Sequence, residues 1–148
     1  MAKSIFYPAA RATLVARIDR LEATALARWG KFTAPRMVSH LIDSVRMATG
    51  ELPIPRRRSF LANRLVRYLA IHVLPFPRGT PTAPQLLARA PESWASDIAA
   101  LKDQLNRAAA HAPGGHWQAH PVFGELSTDD WGVLIHRHTD HHLTQFGV

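Results

Sequence analysis

The spacing of the apolar side chains constrains the fold of this chain more than any other feature. In the clearest stretch, the apolar positions recur at alternating intervals of four and three residues, from Trp94 through Ile98, Leu101 and Leu105 to Ala108. This spacing places all of them on one side of an α-helix, as in the seam of a helical bundle. No stretch shows the strict alternation of apolar and polar residues that indicates a half-buried strand. The sequence therefore predicts an all-α fold.

The same period predicts a first helix near the N-terminus. Leu14, Ile18, Leu21 and Ala25 follow it and form the expected interior stripe. The helix is predicted to end at Trp29-Gly30-Lys31, because glycine readily adopts the left-handed conformation that terminates helices.

A second helix is predicted between Thr33 and Gly50. Thr33 is suited to cap its N-terminus, and Pro35 is tolerated in a first turn. The interior stripe of this helix places one histidine on its buried side, among Met37, His40, Leu41, Ser44, Met47 and Ala48.

The last helix is predicted to begin at Ser127. Ser127 can cap free backbone amides, and Asp129 and Asp130 favour the positive end of the helix dipole. Its stripe has the same four–three spacing and comprises Trp131, Ile135, His138, His142 and Gln145.

A long connection separates the second and third main helices, over residues 51–91. It is rich in proline, which cannot continue a helix. A shorter helix is predicted inside it from Phe60 to about Val73, with Leu61, Leu65, Tyr68 and His72 on one face. The length of 148 residues fits one domain, so residues 1–148 are predicted to form a single helical domain.

The histidines are the candidate ligands of a metal. The chain has no cysteine, so imidazoles, carboxylates or backbone oxygens would have to bind it. His138 and His142 are four residues apart, which places their Cβ atoms about 6 Å apart on one helix face. His40 lies on the interior side of another helix, and His141 is a substitute ligand, whereas His136 lies off the stripe. Two alternatives stay open at this point: neutral core histidines with separate partners, and a solvent-facing pair.

Several function classes lack their motifs. The outer histidines of a zinc-protease helix are present at 138 and 142, but Thr139 stands where that mechanism needs a glutamate. There is no Glu-x-x-His pair for a di-iron bundle, no phosphate loop and no nucleophile elbow. No targeting signal is visible in the first 25 residues, and no apolar run reaches the roughly 20 residues that span a bilayer. We therefore expect a cytoplasmic protein without a membrane partner.

The formal net charge is +7, and a cluster of arginines contributes much of it. The cluster consists of Arg56, Arg57, Arg58, Arg64 and Arg67. It fits either a patch for nucleic acid or an anionic ligand, or a solvated loop and helix face. The solvated surface is favoured and nucleic-acid binding is not expected, because no aromatic residues alternate with the charges.

With these elements in place, the sequence resembles the DinB-like superfamily of metal-binding four-helix bundles, and most closely a bacterial branch known only as a domain of unknown function. The resemblance spans about residues 10–147. Its motifs are Trp29-Gly30-Lys31, residues 37–41, residues 120–124, and the stretch from Trp131-Gly132 to Gly147. It implies an up-down-down-up four-helix bundle in which His40, His138 and His142 bind one divalent metal ion. It also implies a homodimer.

The resemblance further implies an activity. Relatives of this kind transfer a low-molecular-weight thiol to an electrophilic small-molecule substrate, with hydrolysis as a neighbouring reaction. Imidazoles suit zinc, nickel, copper and iron alike, and zinc or nickel is the expected ion. His120, Asp140 and His141 are candidates for orienting or proton-transfer roles, and the arginine cluster for receiving an anionic thiol. The alternative is a non-catalytic metal- or ligand-binding protein.

Overall fold

The computed structural model describes residues 2–112 and 114–148, so Met1 and Pro113 lie outside the described residues. Within these ranges the chain forms five α-helices and no strand, which confirms the all-α prediction. None of these helices is both long and apolar enough to cross a membrane. The helices are α1 (Pro8–Ile18), α2 (Ala34–Thr49), α3 (Arg64–Tyr68), α4 (Trp94–His111) and α5 (Thr128–Gln145).

The central element is α2, which is buried along most of its length and packs against both α4 and α5. Its ends are those predicted from the sequence. The Thr33 hydroxyl accepts a hydrogen bond from the Arg36 backbone N–H, and Gly50 ends the helix in the left-handed conformation with φ +86°. The shorter α1 packs against α4 and α5. This arrangement places α2 and α5 side by side.

The N-terminus of α5 also follows the prediction. The Ser127 hydroxyl accepts from the Asp130 backbone N–H at 3.1 Å, and the Asp130 carboxylate accepts from the Ser127 N–H at 3.2 Å. Two of the free amides at the helix start are thereby satisfied in a reciprocal capping box. Further along, Gly132 lets the N-terminal segment cross α5, with the Ile5 N–H donating to the Gly132 carbonyl at 3.1 Å.

The predicted extent of the first helix was wrong. The helix ends at Ile18, and Leu21 and Ala25 lie in the loop that follows. Leu21 is nevertheless buried, so its position in the apolar stripe reflects burial rather than helical structure. The loop is drawn toward the end of α5, where the Arg28 N–H donates to the Gln145 carbonyl at 2.8 Å. Apolar spacing alone does not distinguish these two ways of burying a side chain.

The predicted helix from Phe60 to Val73 is broken into three pieces. A 3₁₀ turn spans Phe60–Ala62, α3 follows, and a π-helical turn spans Leu69–Val73. The break occurs because the Asn63 side chain accepts from the N–H groups of Leu65 and Val66 and starts a new helix. Two residues of the predicted common face, Leu65 and Tyr68, are exposed. A second 3₁₀ turn, Pro84–Leu87, lies against α2.

Candidate metal centre

Three imidazoles from two neighbouring helices meet in the interior of the protein. His40 comes from α2, while His138 and His142 lie one turn apart on α5. The His138 Nε2 lies 3.1 Å from the His40 Nε2 and 3.2 Å from the His142 Nε2. One ligand atom from each of the three residues lies within 4.8 Å of the others. The three predicted ligands are thus brought together.

Hydrogen bonding alone does not account for this arrangement. A ring nitrogen carries either one hydrogen or one lone pair in the ring plane, so the His138 Nε2 can satisfy only one of its two neighbours. Two nitrogens bound tetrahedrally to one ion at about 2.0–2.1 Å are about 3.3 Å apart, close to both separations. The geometry therefore fits a single divalent ion that accepts all three lone pairs.

The orientation of His142 is fixed by a relay of two hydrogen bonds. The Gln145 Nε2 donates to the Trp29 carbonyl at 2.7 Å. Because a carbonyl can only accept, the Gln145 Oε1 is left to accept from the His142 Nδ1–H at 2.8 Å. The Nε2 of His142 therefore carries a lone pair that faces the other imidazoles. Gly30 makes room for the relay, since a Cβ there would lie 2.8 Å from the Gln145 Nε2.

His40 is oriented in the same way from the long connection. Its Nδ1–H donates to the Leu86 carbonyl at 3.3 Å, so its Nε2 also carries a lone pair. The Phe32 ring stacks on the His40 ring with centroids 5.3 Å apart and contacts the edge of His142 at 5.7 Å. Metal-binding histidines commonly donate their second N–H to a carbonyl or carboxylate in this manner.

A buried ion-pair network holds the segment that carries Leu86. The Arg89 Nε lies 3.1 Å from the Asp43 carboxylate, and its Nη1 lies 3.7 Å from Asp97. Both carboxylates are almost fully buried, on α2 and α4 respectively. The network therefore pins the end of the connection to the two helices beside the site.

Burial keeps all three imidazoles neutral. Desolvation lowers the pKa of His40 below its ordinary value and that of His142 to about 3. The pKa of His138 is lowered well below its usual range, first by desolvation and then by the neighbouring histidines. Neutral imidazole is the form that binds a metal. The electrostatics therefore support the ligand role at neutral pH.

The three imidazoles line a cavity of about 1060 Å³. Its walls are mainly apolar and are formed by the segment 29–33, α2, the connection, the loop 120–123 and α5. Among the described residues that line it, Lys31 and Arg36 are cationic and none is acidic. The cavity is thus large enough for a small molecule, and its lining charge favours an anionic group.

His120 lies on the cavity wall with a fixed tautomer. Its Nδ1 accepts from the backbone N–H groups of Val122 and Phe123, both at 3.1 Å. The ring proton is therefore on Nε2, and no acceptor for it is found among the described residues. Desolvation lowers the pKa of His120 to about 4, so the ring stays neutral. His120 thus offers a neutral N–H donor inside the cavity.

The other histidines and Asp140 take different places. His141 lines the cavity against Trp29 but is not part of the three-imidazole group. Asp140 forms an ion pair with Arg17 of α1 and hydrogen bonds to none of the three ligands. His136 lies off the stripe as predicted, yet it is buried, and its Nδ1 has no partner among the described residues.

The arginine cluster does not border this cavity. None of Arg56, Arg57, Arg58, Arg64 and Arg67 is among the lining residues. Arg67 instead donates to the backbone carbonyls of Phe123 and Glu125, which holds the loop before α5.

Two groups that orient the ligands were missed by the sequence analysis. Gln145 follows His142 by three residues and shares its helix face, so the spacing contained a usable signal. The Leu86 carbonyl had no such signal, because its approach to His40 depends on the path of a loop across 46 residues.

Comparison with known proteins gives one match. The sequence model of a family described as "Protein of unknown function (DUF1569)" matches residues 2–147. No curated protein and no solved structure matches the chain significantly.

Proposed function

The chain belongs to the DUF1569 family, and from this premise we propose that it is a metal-dependent enzyme whose divalent ion is held by His40, His138 and His142. The proposal rests on the convergence of the Nε2 atoms of the three histidines. In His40 and His142 the other ring nitrogen, Nδ1, already donates its hydrogen to an oxygen acceptor. These hydrogen bonds fix the orientations of the two rings, so that their Nε2 lone pairs point toward one position, as in metal sites.

An enzyme is favoured over a structural metal site because of what surrounds the imidazoles. Structural zinc sites are closed by four protein ligands, whereas catalytic sites use three and leave a position open. Here the group has three members within the described residues, and it borders the large cavity directly. An ion held there would act as a Lewis acid that lowers the pKa of a thiol or water molecule.

The proposed reaction is the transfer of a low-molecular-weight thiol to an electrophilic small molecule, with hydrolysis as the neighbouring possibility. Lys31 and Arg36 on the cavity wall would attract an anionic thiol, a role the sequence analysis considered for the arginine cluster. The mainly apolar walls would favour an apolar electrophile beside the anionic thiol. His120 lines the cavity and carries its ring proton on Nε2, which would donate a hydrogen bond to a substrate oxygen.

The DinB-like up-down-down-up arrangement and the homodimer remain parts of this proposal. The packing of α2 against both α4 and α5, and of α1 against the same two helices, supports the four-helix arrangement. Zinc or nickel is the proposed ion, and metal analysis distinguishes them from copper and iron, which imidazoles without thiolates suit as well.

The test combines metal analysis with a thiol-conjugation screen. Untagged protein should bind about one equivalent of divalent ion per chain. Single changes of His40, His138 or His142 to Ala should abolish this binding. His116→Ala is the matched control, because His116 is exposed and outside the group. His136→Ala is unsuitable as a control, because His136 is buried and its truncation would leave a cavity in the core.

The screen then measures loss of free thiol in the presence of a chlorodinitrobenzene electrophile, with and without metal. We expect metal-dependent conjugation with at least one anionic thiol, and its loss in the His138→Ala protein. Metal binding without conjugation or hydrolysis would instead indicate a non-catalytic binding protein. Absence of metal binding in the wild type under every loading condition would show that the three residues are core histidines.

A further inference from the structure

Most of the surplus positive charge of the chain lies in the long connection. Residues 51–91 contain seven arginines and one acidic residue, Glu51, whereas the rest of the chain has eleven basic and ten acidic residues. Within the described residues, Arg57, Arg58 and Arg64 make no ion pair. Arg89 is neutralised by Asp43 and Asp97, and Arg56 lies 3.9 Å from the Glu125 carboxylate, so the unpaired positive charge of the connection includes that of Arg57, Arg58 and Arg64.

The same segment carries most of the exposed large apolar side chains. Six of the eight in the described part of the chain lie between residues 60 and 74. We call them the connection face: Phe60, Leu65, Tyr68, Leu69, Val73 and Leu74. Large exposed apolar patches on soluble domains mark interaction sites.

The connection face is held outward by contacts on its opposite side. Ile71 is fully buried, and Arg137 of α5 donates to the backbone carbonyls of Ala70, Ile71 and Leu74. The His72 Nε2 lies 2.7 Å from the Asp130 carboxylate at the start of α5. The backbone is thus anchored, and Leu65, Tyr68, Leu69 and Val73 share the outer side of one helical stretch. This orientation is a fixed property of the fold.

The combination of charge and apolar surface selects among possible partners. A second copy of the chain, docked through a twofold axis, would bring two arginine-rich surfaces together. Single-stranded nucleic acid is bound through aromatic stacking, whereas the connection face is mainly aliphatic. Aliphatic side chains flanked by arginines are instead the composition of elements that lie in a lipid interface.

We propose that the connection face docks on the surface of an anionic lipid bilayer. Its apolar side chains enter the boundary between headgroups and acyl chains, and Arg57, Arg58 and Arg64 contact lipid phosphates. The expectation that the protein has no membrane partner was based on the absence of a membrane-spanning segment. Peripheral docking does not need such a segment. Leu61, Ala70 and Leu74 of the same segment also line the metal cavity, so docking would place one cavity wall beside the bilayer.

The test is co-sedimentation of the full chain with large vesicles. We expect binding to vesicles that mix phosphatidylglycerol with phosphatidylcholine, and none to phosphatidylcholine alone. Binding should disappear near 1 M salt, where the screening length is about 3 Å. Leu65→Ser and Leu69→Ser should each weaken binding by about tenfold, and Arg64→Ser by about fivefold.

Matched controls come from exposed residues elsewhere. Leu26→Ser removes a side chain that is 87% exposed, and Arg20→Ser removes an exposed arginine, so neither should alter binding. Tyr68→Trp supplies a second readout, because its emission should shift to shorter wavelength on anionic vesicles. His138→Ala should bind vesicles like the wild type, which separates this proposal from the metal-dependent one.

Three results would overturn the proposal. The first is failure of the wild type to bind phosphatidylglycerol vesicles. The second is binding that Leu65→Ser and Leu69→Ser leave unchanged. The third is a stable dimer or a nucleic-acid complex that these two changes disrupt while vesicle binding is absent.

Discussion

At the scale of single residues, the hydrogen-bond relay from Trp29 through Gln145 to His142 joins two of the sequence motifs at the proposed metal site. The Trp29 carbonyl orients the Gln145 amide, and the amide orients the His142 ring. Gly30 is needed beside them because any side chain there would meet the amide. The motif around Trp29-Gly30 thus serves the proposed metal site rather than the end of α1.

Replacing Gln145 by Leu should test this relay. The change keeps an apolar side chain of similar size but removes the acceptor for the His142 Nδ1–H. We expect divalent-ion affinity to fall by about 10–100-fold without being abolished, because the three ligand nitrogens remain. Isothermal titration with zinc measures the change.

The control for this prediction is Gln104→Leu. Gln104 is equally buried, lies on α4, and is not among the residues that line the metal cavity. Its replacement should leave zinc affinity unchanged. Equal affinity of the Gln145→Leu and wild-type proteins would mean that the relay does not act on the site.

At the scale of elements, the crossing of the N-terminal segment over α5 depends on Gly132. A Cβ at this position would lie 2.3 Å from the Ser4 Oγ and 2.4 Å from the Phe6 ring. Gly132→Ala should therefore destabilise the protein by about 1–3 kcal/mol, as overpacking does. Urea denaturation measures the free energy of unfolding.

The sign of this effect is the informative part. Alanine in a helix interior is ordinarily more favourable than glycine by about 1 kcal/mol. A stabilised Gly132→Ala protein would show that the N-terminal segment does not pack on α5 at this point. Gly132→Ser, which adds a further atom, should be less stable than Gly132→Ala.

The capping box of α5 gives a prediction for pH. Burial would raise the pKa of Asp130, but hydrogen bonds from His72 and Ser127 outweigh it and leave this pKa below its ordinary value. A carboxyl whose pKa is depressed in the folded state stabilises the protein above its unfolded pKa, near 3.9, and loses this contribution as pH falls through the folded value. Asp130→Asn should therefore lower the melting temperature at pH 7.

The difference in melting temperature between wild type and Asp130→Asn should shrink as the pH is lowered from about 5 toward 3. Asp129→Asn is the control, because Asp129 is exposed and makes no ion pair among the described residues. A pH-independent difference would mean that the loss comes from packing rather than from the charged carboxylate.

Some helix ends could be predicted from the sequence and others could not. Helix starts and stops at Thr33, Gly50 and Ser127 were predictable because capping is a local property of a few residues. The end of α1 was not, since the loop after Ile18 is shaped by contacts with the end of α5. The positions of His138 and His142 followed from helical phase, whereas the approach of the Leu86 carbonyl to His40 depends on the whole connection.

At the scale of the whole molecule, the proposed ion would cross-link α2 to α5. The cluster exists only where these two helices are packed together, so a bound ion would stabilise the folded state by mass action. At a free ion concentration of about 100 times the dissociation constant, this stabilisation is about 2.7 kcal/mol. For a chain of this length, it corresponds to a rise in melting temperature of roughly 5–10 °C.

Thermal unfolding is followed by circular dichroism in the helical band at about 222 nm. It is measured once with zinc and once after chelation with EDTA. The quantity compared is the metal-induced rise for each variant, because His40→Ala and His142→Ala also leave a space in the core and change the melting temperature of the metal-free protein. We expect the rise to be lost in both variants and kept in His116→Ala. An equal rise in all of them would place the stabilising ion elsewhere in the protein, and the assignment of the three histidines would then be wrong.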